Sequence, residues 1–141
     1  MIQEYAPEVS MIPPLIPLSR AQPIAFVLTA DRGRAREFYA DSLGLPVIAE
    51  DDFAVTFRLG DGVTMRLTGM PGHQPHPHTV LGWAVADIYG TIAQLREKGI
   101  VPNIYEGFGQ DGDGVWAAPG GGVKVCWFPD PDGNVLSLTQ F

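Results

Sequence analysis

An α+β fold of two βαβββ modules, curved mixed sheets around a cavity with the helices on the outer faces, is predicted by three features of this sequence. A strand–helix–three-strand pattern occurs twice, an aspartate precedes each helix, and turn residues are abundant. The two capping positions, Asp31 and Asp87, lie 56 residues apart, and each helix meets a glycine 13 or 12 residues later (Gly44 and Gly99). The 17 glycines and 13 prolines among 141 residues argue for short elements and many turns, and against a helical bundle.

Residues 1–22 carry Pro7, Pro13, Pro14 and Pro17 and no periodicity, so they read as an extended arm. Its apolar group, Met11 to Leu18, gives it a reason to dock on the body or on a second copy of the chain. The single domain then spans 23–141. In module one (23–69), Ile24 to Ala30 is a strand-length apolar run, and Asp31 opens a helix over Arg32–Ser42 with Ala35, Phe38, Tyr39 and Leu43 on one face. Val47-Ile48, Phe53–Leu59 and Val63–Thr68 read as strands, the last two joined by the hairpin signal Gly60-Asp61-Gly62. A linker rich in Pro and His occupies 70–78. In module two (79–141), the strand Thr79–Ala86 leads through Asp87 to a helix over Ile88–Lys98, with Ile88, Ile92 and Leu95 on its apolar face. Further strands are expected at Val101–Tyr105, Val115–Ala117 with Val123–Phe128, and Val135–Thr139.

Charge and cysteine content exclude several function classes. Nine cations against 16 anions give a net charge of −7, which leaves no basic stripe for a nucleic-acid backbone. No run approaches the roughly 18 apolar residues of a membrane helix. The lone Cys126 rules out an internal disulfide or a multi-cysteine metal site. The N-terminus carries acidic residues and prolines where a secretory signal would be basic and apolar, so a cytoplasmic location is expected.

Particular residues carry a resemblance to a known family. They are Asp31…Phe38-Tyr39…Leu43-Gly44-Leu45 in module one and Trp83-Ala84-Val85-Ala86-Asp87-Ile88 with Gly99 in module two. The closing run Phe128-Pro129-Asp130-Pro131-Asp132-Gly133-Asn134-Val135-Leu136 is the most specific piece. Over 23–141 the chain resembles the vicinal oxygen chelate superfamily of glyoxalase I, bleomycin-resistance proteins and extradiol dioxygenases. Metal-dependent members hold their ion with a His, Gln or Glu seven residues before each capping Asp and a carboxylate in each fourth strand. The matching positions here are Ile24, Val80, about Arg66, and Ser137. Two hydrocarbons, a cation and one hydroxyl make no divalent site, so no metal and no other cofactor is expected. His73, His76 and His78 in the linker, or a slip that brings Thr79 or His78 into register, are the routes to a rearranged metal site.

Alternation directs Ile24, Phe26 and Leu28, then Val80, Gly82 and Ala84, and then Val135, Ser137 and Thr139 to the cupped side of the modules. Phe26, Phe57, Arg66, Tyr105, Trp116, Trp127 and Ser137 are the candidate ligand-binding residues: an apolar, aromatic lining with few polar anchors. Arg66, a cation in mid-strand, needs either a carboxylate such as Glu50 or Asp52 or an anionic ligand. The Gln110–Gly114 segment reads as a flexible loop over such a pocket. The resemblance implies a protein that binds a small hydrophobic or anionic molecule without the family's metal, acting as a homodimer. The alternative is a lyase, isomerase or dioxygenase with a rearranged metal site, and the residues leave catalysis open.

Overall fold

The computed structural model describes residues 17–141, which build two four-stranded sheets with a helix packed on each. The first half runs β1 (Ile24–Thr29), α1 (Arg32–Glu37), β2 (Val47–Glu50), β3 (Ala54–Arg58) and β4 (Thr64–Gly69). Helix α1 continues as a π-type turn over Phe38–Ser42, where the Leu43 N–H reaches back to the Phe38 carbonyl. The second half runs β5 (Thr79–Ala84), α2 (Ile88–Glu97), β6 (Trp116–Ala117), β7 (Lys124–Pro129) and β8 (Val135–Gln140). The sheet orders, β1-β4-β3-β2 and β5-β8-β7-β6, match position for position, with β1–β4 and β5–β8 parallel and the remaining pairs antiparallel. Edge strands β1 and β5 lie side by side. The repeat predicted from the sequence is therefore present in the fold.

Local chemistry explains the helix ends. The Asp31 and Asp87 carboxylates accept the Arg34 and Gly90 N–H groups at 3.1 and 3.0 Å. Gly44 and Gly99 end the helices at φ +71° and +78°, a region that disfavours a side chain. Between sheets and helices lies one core that crosses both halves. Val27, Tyr39, Val55, Phe57, Met65 and Leu67 meet Ile88, Ile92, Cys126, Phe128, Leu136 and Leu138 there. Alternation leaves the other residue of each pair on the face turned away from the helices, here termed the open face.

The closing Asp-Pro-Asp-Gly-Asn run is more than the hairpin its composition predicts. Asp130 Oδ1 accepts the N–H groups of Asp132 and Asn134, which sets the turn. Its Oδ2 accepts the Tyr39 hydroxyl at 2.6 Å and Asn134 Nδ2 at 2.8 Å. Asp132 accepts the Thr29 hydroxyl and the Ala30 N–H, and Asn134 Nδ2 donates to the Leu28 carbonyl. The turn of module two is thus fastened to β1 and α1 of module one.

One expected strand is corrected. Val101–Tyr105 forms no strand: Pro102 has no N–H to give a ladder, and the segment bonds to β7 through the Asn103 N–H to the Trp127 carbonyl at 2.6 Å. In its place β6 and β7, joined across Gly120, Gly121 and Gly122 at positive φ, complete the sheet. Of the predicted arm, residues 1–16 lie outside the described residues, and Leu18–Arg20 form one 3-10 turn.

Candidate functional site

The open face presents equivalent cross-strand rows in the two halves. In module one, Thr56 on β3, Arg66 on β4 and Phe26 on β1 are neighbours in register. In module two the row is Trp127 on β7, Ser137 on β8 and Gly82 on β5. Gly82 has a steric reason: a Cβ there would run into the Ser137 Oγ, so glycine lets that hydroxyl lie across the strand. Along the seam, a crevice of about 450 Å³ opens between the start of β1, the β3–β4 turn and β5, lined in part by Ile24, Asp61, Gly82 and Ala84.

An aromatic wall stands beside the module-two row. The Trp127 ring lies 5.8 Å from Tyr105 and 5.6 Å from Phe108, both edge to face, and Phe108 lies 5.7 Å from Trp116. Tyr105 and Phe108 nevertheless remain 39% and 49% exposed, so the wall offers ring surface to solvent. Tyr105, Trp116 and Trp127 were expected here from sequence. Phe108 was not, and its only local signal is its place between Gly107 and Gly109, both at positive φ.

The loop that carries Tyr105 and Phe108 is cross-braced rather than loose. Gln110 accepts the Tyr105 N–H at 2.6 Å and donates to the Asn103 and Gly114 carbonyls at 2.9 and 2.7 Å. Asp111 accepts the N–H groups of Asp113 and Val115 and, at 2.6 Å, the Tyr89 hydroxyl of α2. Partial desolvation opposes ionisation of Asp111. The Tyr89 hydroxyl, the two N–H donors and the Lys124 charge outweigh it and hold this carboxyl below its ordinary value of 3.8. A carboxyl lowered in this way stabilises the loop above its unfolded value, and that stability is lost as pH falls through the lower folded value. Asp111→Asn is therefore expected to flatten the acid limb of a tryptophan-fluorescence titration as pH falls below the ordinary carboxyl value, while an unchanged limb would remove Asp111 as its source.

Of the other candidates, Phe57 is not on this face. It is fully buried, pairs with Met65 and packs against the Tyr39 ring at 5.9 Å, because β3 turns Val55 and Phe57 to the helix and Thr56 and Arg58 outward. Glu50 is no partner for Arg66, since it pairs with Arg36. Cys126 is buried, and desolvation foremost pushes its thiol up to about 11, so it packs and does not attack. A second apolar crevice, about 290 Å³, opens on the helix side, but its lining of Trp83, Leu95, Phe128 and Leu138 is core surface without a charged group.

The family's metal does not fit these residues. Ile24 and Val80 offer no donor, Arg66 brings a positive charge, and Ser137 supplies one hydroxyl. Strand β5 does contain a register shift between Thr79 and Leu81, yet the bulge carries Val80. In the linker, the His76 and His78 rings stack at 5.7 Å while His73 bonds to Asn134 Oδ1 at 2.8 Å. Among the described residues no three His, Cys, Asp or Glu side chains converge on a common point, and no helix is long and apolar enough to cross a membrane.

Comparison with known proteins agrees with this architecture. No curated protein matches the sequence. Among solved structures, a glyoxalase/bleomycin resistance protein/dioxygenase superfamily member from Sphaerobacter thermophilus is 22% identical, covering 86% of this chain and 97% of that one, at a TM-score of 0.68. TnmS3, an antibiotic binding protein from Streptomyces sp. CB03234, is 22% identical over 89% and 98% of the two chains, at 0.62. A glyoxalase/bleomycin resistance protein from Catenulispora acidiphila is 19% identical over 85% and 97%, at 0.63. At such identities the likeness is one of fold. The family model for Glyoxalase/Bleomycin resistance protein/Dioxygenase superfamily matches residues 21–138, and with the paired modules this means that the chain belongs to that superfamily.

Proposed function

We propose that this protein binds a planar, largely apolar small molecule against the aromatic wall of module two, without the metal used by catalytic members of its superfamily. The supporting observation is the wall itself. Four aromatic side chains from β6, β7 and the connecting loop form one contiguous cluster, and the two exposed ones stand edge to face on Trp127 from a loop held by Gln110 and Asp111. Ring surface exposed on a braced frame gains affinity on binding without an ordering cost. A fold neighbour, TnmS3, is described as an antibiotic binding protein, which is in keeping with this reading.

The neutral fluorophore N-phenyl-1-naphthylamine tests it. Saturable fluorescence enhancement, competed by other planar aromatics, is the expected result, whereas a linear response up to the solubility limit would reject the reading. The reading includes a homodimer, motivated by Ile24 and Val80, apolar residues left exposed near the starts of β1 and β5. Sedimentation equilibrium at micromolar concentration checks that part, and a species of one chain mass (15.2 kDa) would remove it.

A further inference from the structure

We propose that Arg58 and Arg66 together form an oxyanion subsite on the open face of module one, which selects ligands bearing a carboxylate, sulfonate or phosphate on an aromatic body. In the β3–β4 register Arg66 stands opposite Thr56, and Arg58 opposite Thr64, so the two arginines are diagonal neighbours on adjacent antiparallel strands. Their face is fixed by the burial of Val55, Phe57, Met65 and Leu67 on the other side. Diagonal positions bring Cβ atoms to within about 8 Å, a span that two guanidinium forks can close upon one oxyanion.

No carboxylate already fills this role. Among the described residues the ion pairs are Arg36 with Glu50 and Arg96 with Asp113, so neither Arg58 nor Arg66 has a partner. Asp51 is close enough for its carboxyl to feel the Arg66 charge. Its Oδ1, however, is committed to the Phe53 and Ala54 N–H groups, whose bonds are the main reason that carboxyl lies below its ordinary value. Arg66 is half-buried in mid-strand, and the Asp51 charge acts on it only through space, without an ion-pair contact. Beside it Phe26 is 64% exposed and offers apolar surface to the organic part of a ligand. In a chain of net charge −7, two arginines without an ion-pair contact on one face concentrate positive charge locally, which favours an anion there.

The subsite presupposes, as proposed above, that the open face is the ligand face. Two probes separate the ideas: 8-anilinonaphthalene-1-sulfonate and its sulfonate-free counterpart N-phenyl-1-naphthylamine. The wild-type protein is expected to bind the sulfonate about tenfold more tightly. The double variant Arg58→Met/Arg66→Met should lose that preference while keeping its affinity for the neutral probe, which also reports that it is folded. Equal wild-type affinities, a preference that survives in the double variant, or no binding of either probe would overturn the oxyanion subsite. Binding of the sulfonate alone, abolished in the double variant, would uphold the subsite and reject the aromatic wall.

Discussion

Asp130→Ala is expected to lower the unfolding free energy by about 3–5 kcal/mol, a large share of the roughly 5–15 kcal/mol that holds a domain folded. Asp130 is 5% exposed and accepts four hydrogen bonds: two from the backbone of its own turn, one from Asn134 Nδ2 and one from the Tyr39 hydroxyl. Alanine would remove the acceptor of all four; Asn134 Nδ2 keeps its bond to the Leu28 carbonyl, but the Tyr39 hydroxyl has no exposure to water to fall back on. Burial first, then the Asp130 charge and hydrogen bond, raise the Tyr39 pKa far above its ordinary value, so this hydroxyl stays a donor across the accessible pH range. Tyr39→Phe removes one donor and leaves Asp130 with three, so its cost should be about 1–2 kcal/mol. Urea unfolding with an unchanged slope measures both. A loss for Asp130→Ala no greater than that for Tyr39→Phe would show that the turn does not fasten the halves.

Trp116→Ala/Trp127→Ala should weaken binding of N-phenyl-1-naphthylamine by about a hundredfold or more, since each stacked ring contributes roughly 1–3 kcal/mol. Phe108 stands against both rings, so either Trp alone still supports it, and the double loss should exceed the sum of the single variants. Trp116 and Trp127 are outside the buried core cluster, and the double variant should cost only about 1–2 kcal/mol of stability. Unaltered affinity in a folded double variant would place the ligand elsewhere.

How much of this was legible in the sequence varies with the physics involved. The repeat was legible because caps, stops and periodicity are local: Asp31 and Asp87 bond within their own helices, and Gly44 and Gly99 take the φ that ends them. Side-chain facing on β1, β5 and β8 was legible for the same reason. Phe57 shows the opposite case. Alternation of Val55 and Phe57 with Thr56 and Arg58 assigns it to the core, whereas aromatic character alone suggested a lining residue. The Val101–Tyr105 run is apolar enough for a strand, and Pro102 overrides that propensity. Phe108 could not be found by periodicity, since a loop has none. The docking of Asp132 on Thr29 joins residues about a hundred positions apart, a contact that no local pattern encodes.

The strand order carries a consequence for biosynthesis. β8 leaves the ribosome after the seven other strands of these two sheets, yet it lies inside its sheet, between β5 and β7. Until it emerges, β5 and β7 have no shared neighbour, Leu136 and Leu138 are missing from the core, and Tyr39 has no acceptor for its hydroxyl. Module one closes its own sheet once β4 is made, but β1 and α1 wait for the turn at 130–134 before they are locked. A nascent chain of this protein therefore closes one sheet early and completes its shared core only after β8 appears, which makes the interval before it the one in which a chaperone has most to shield.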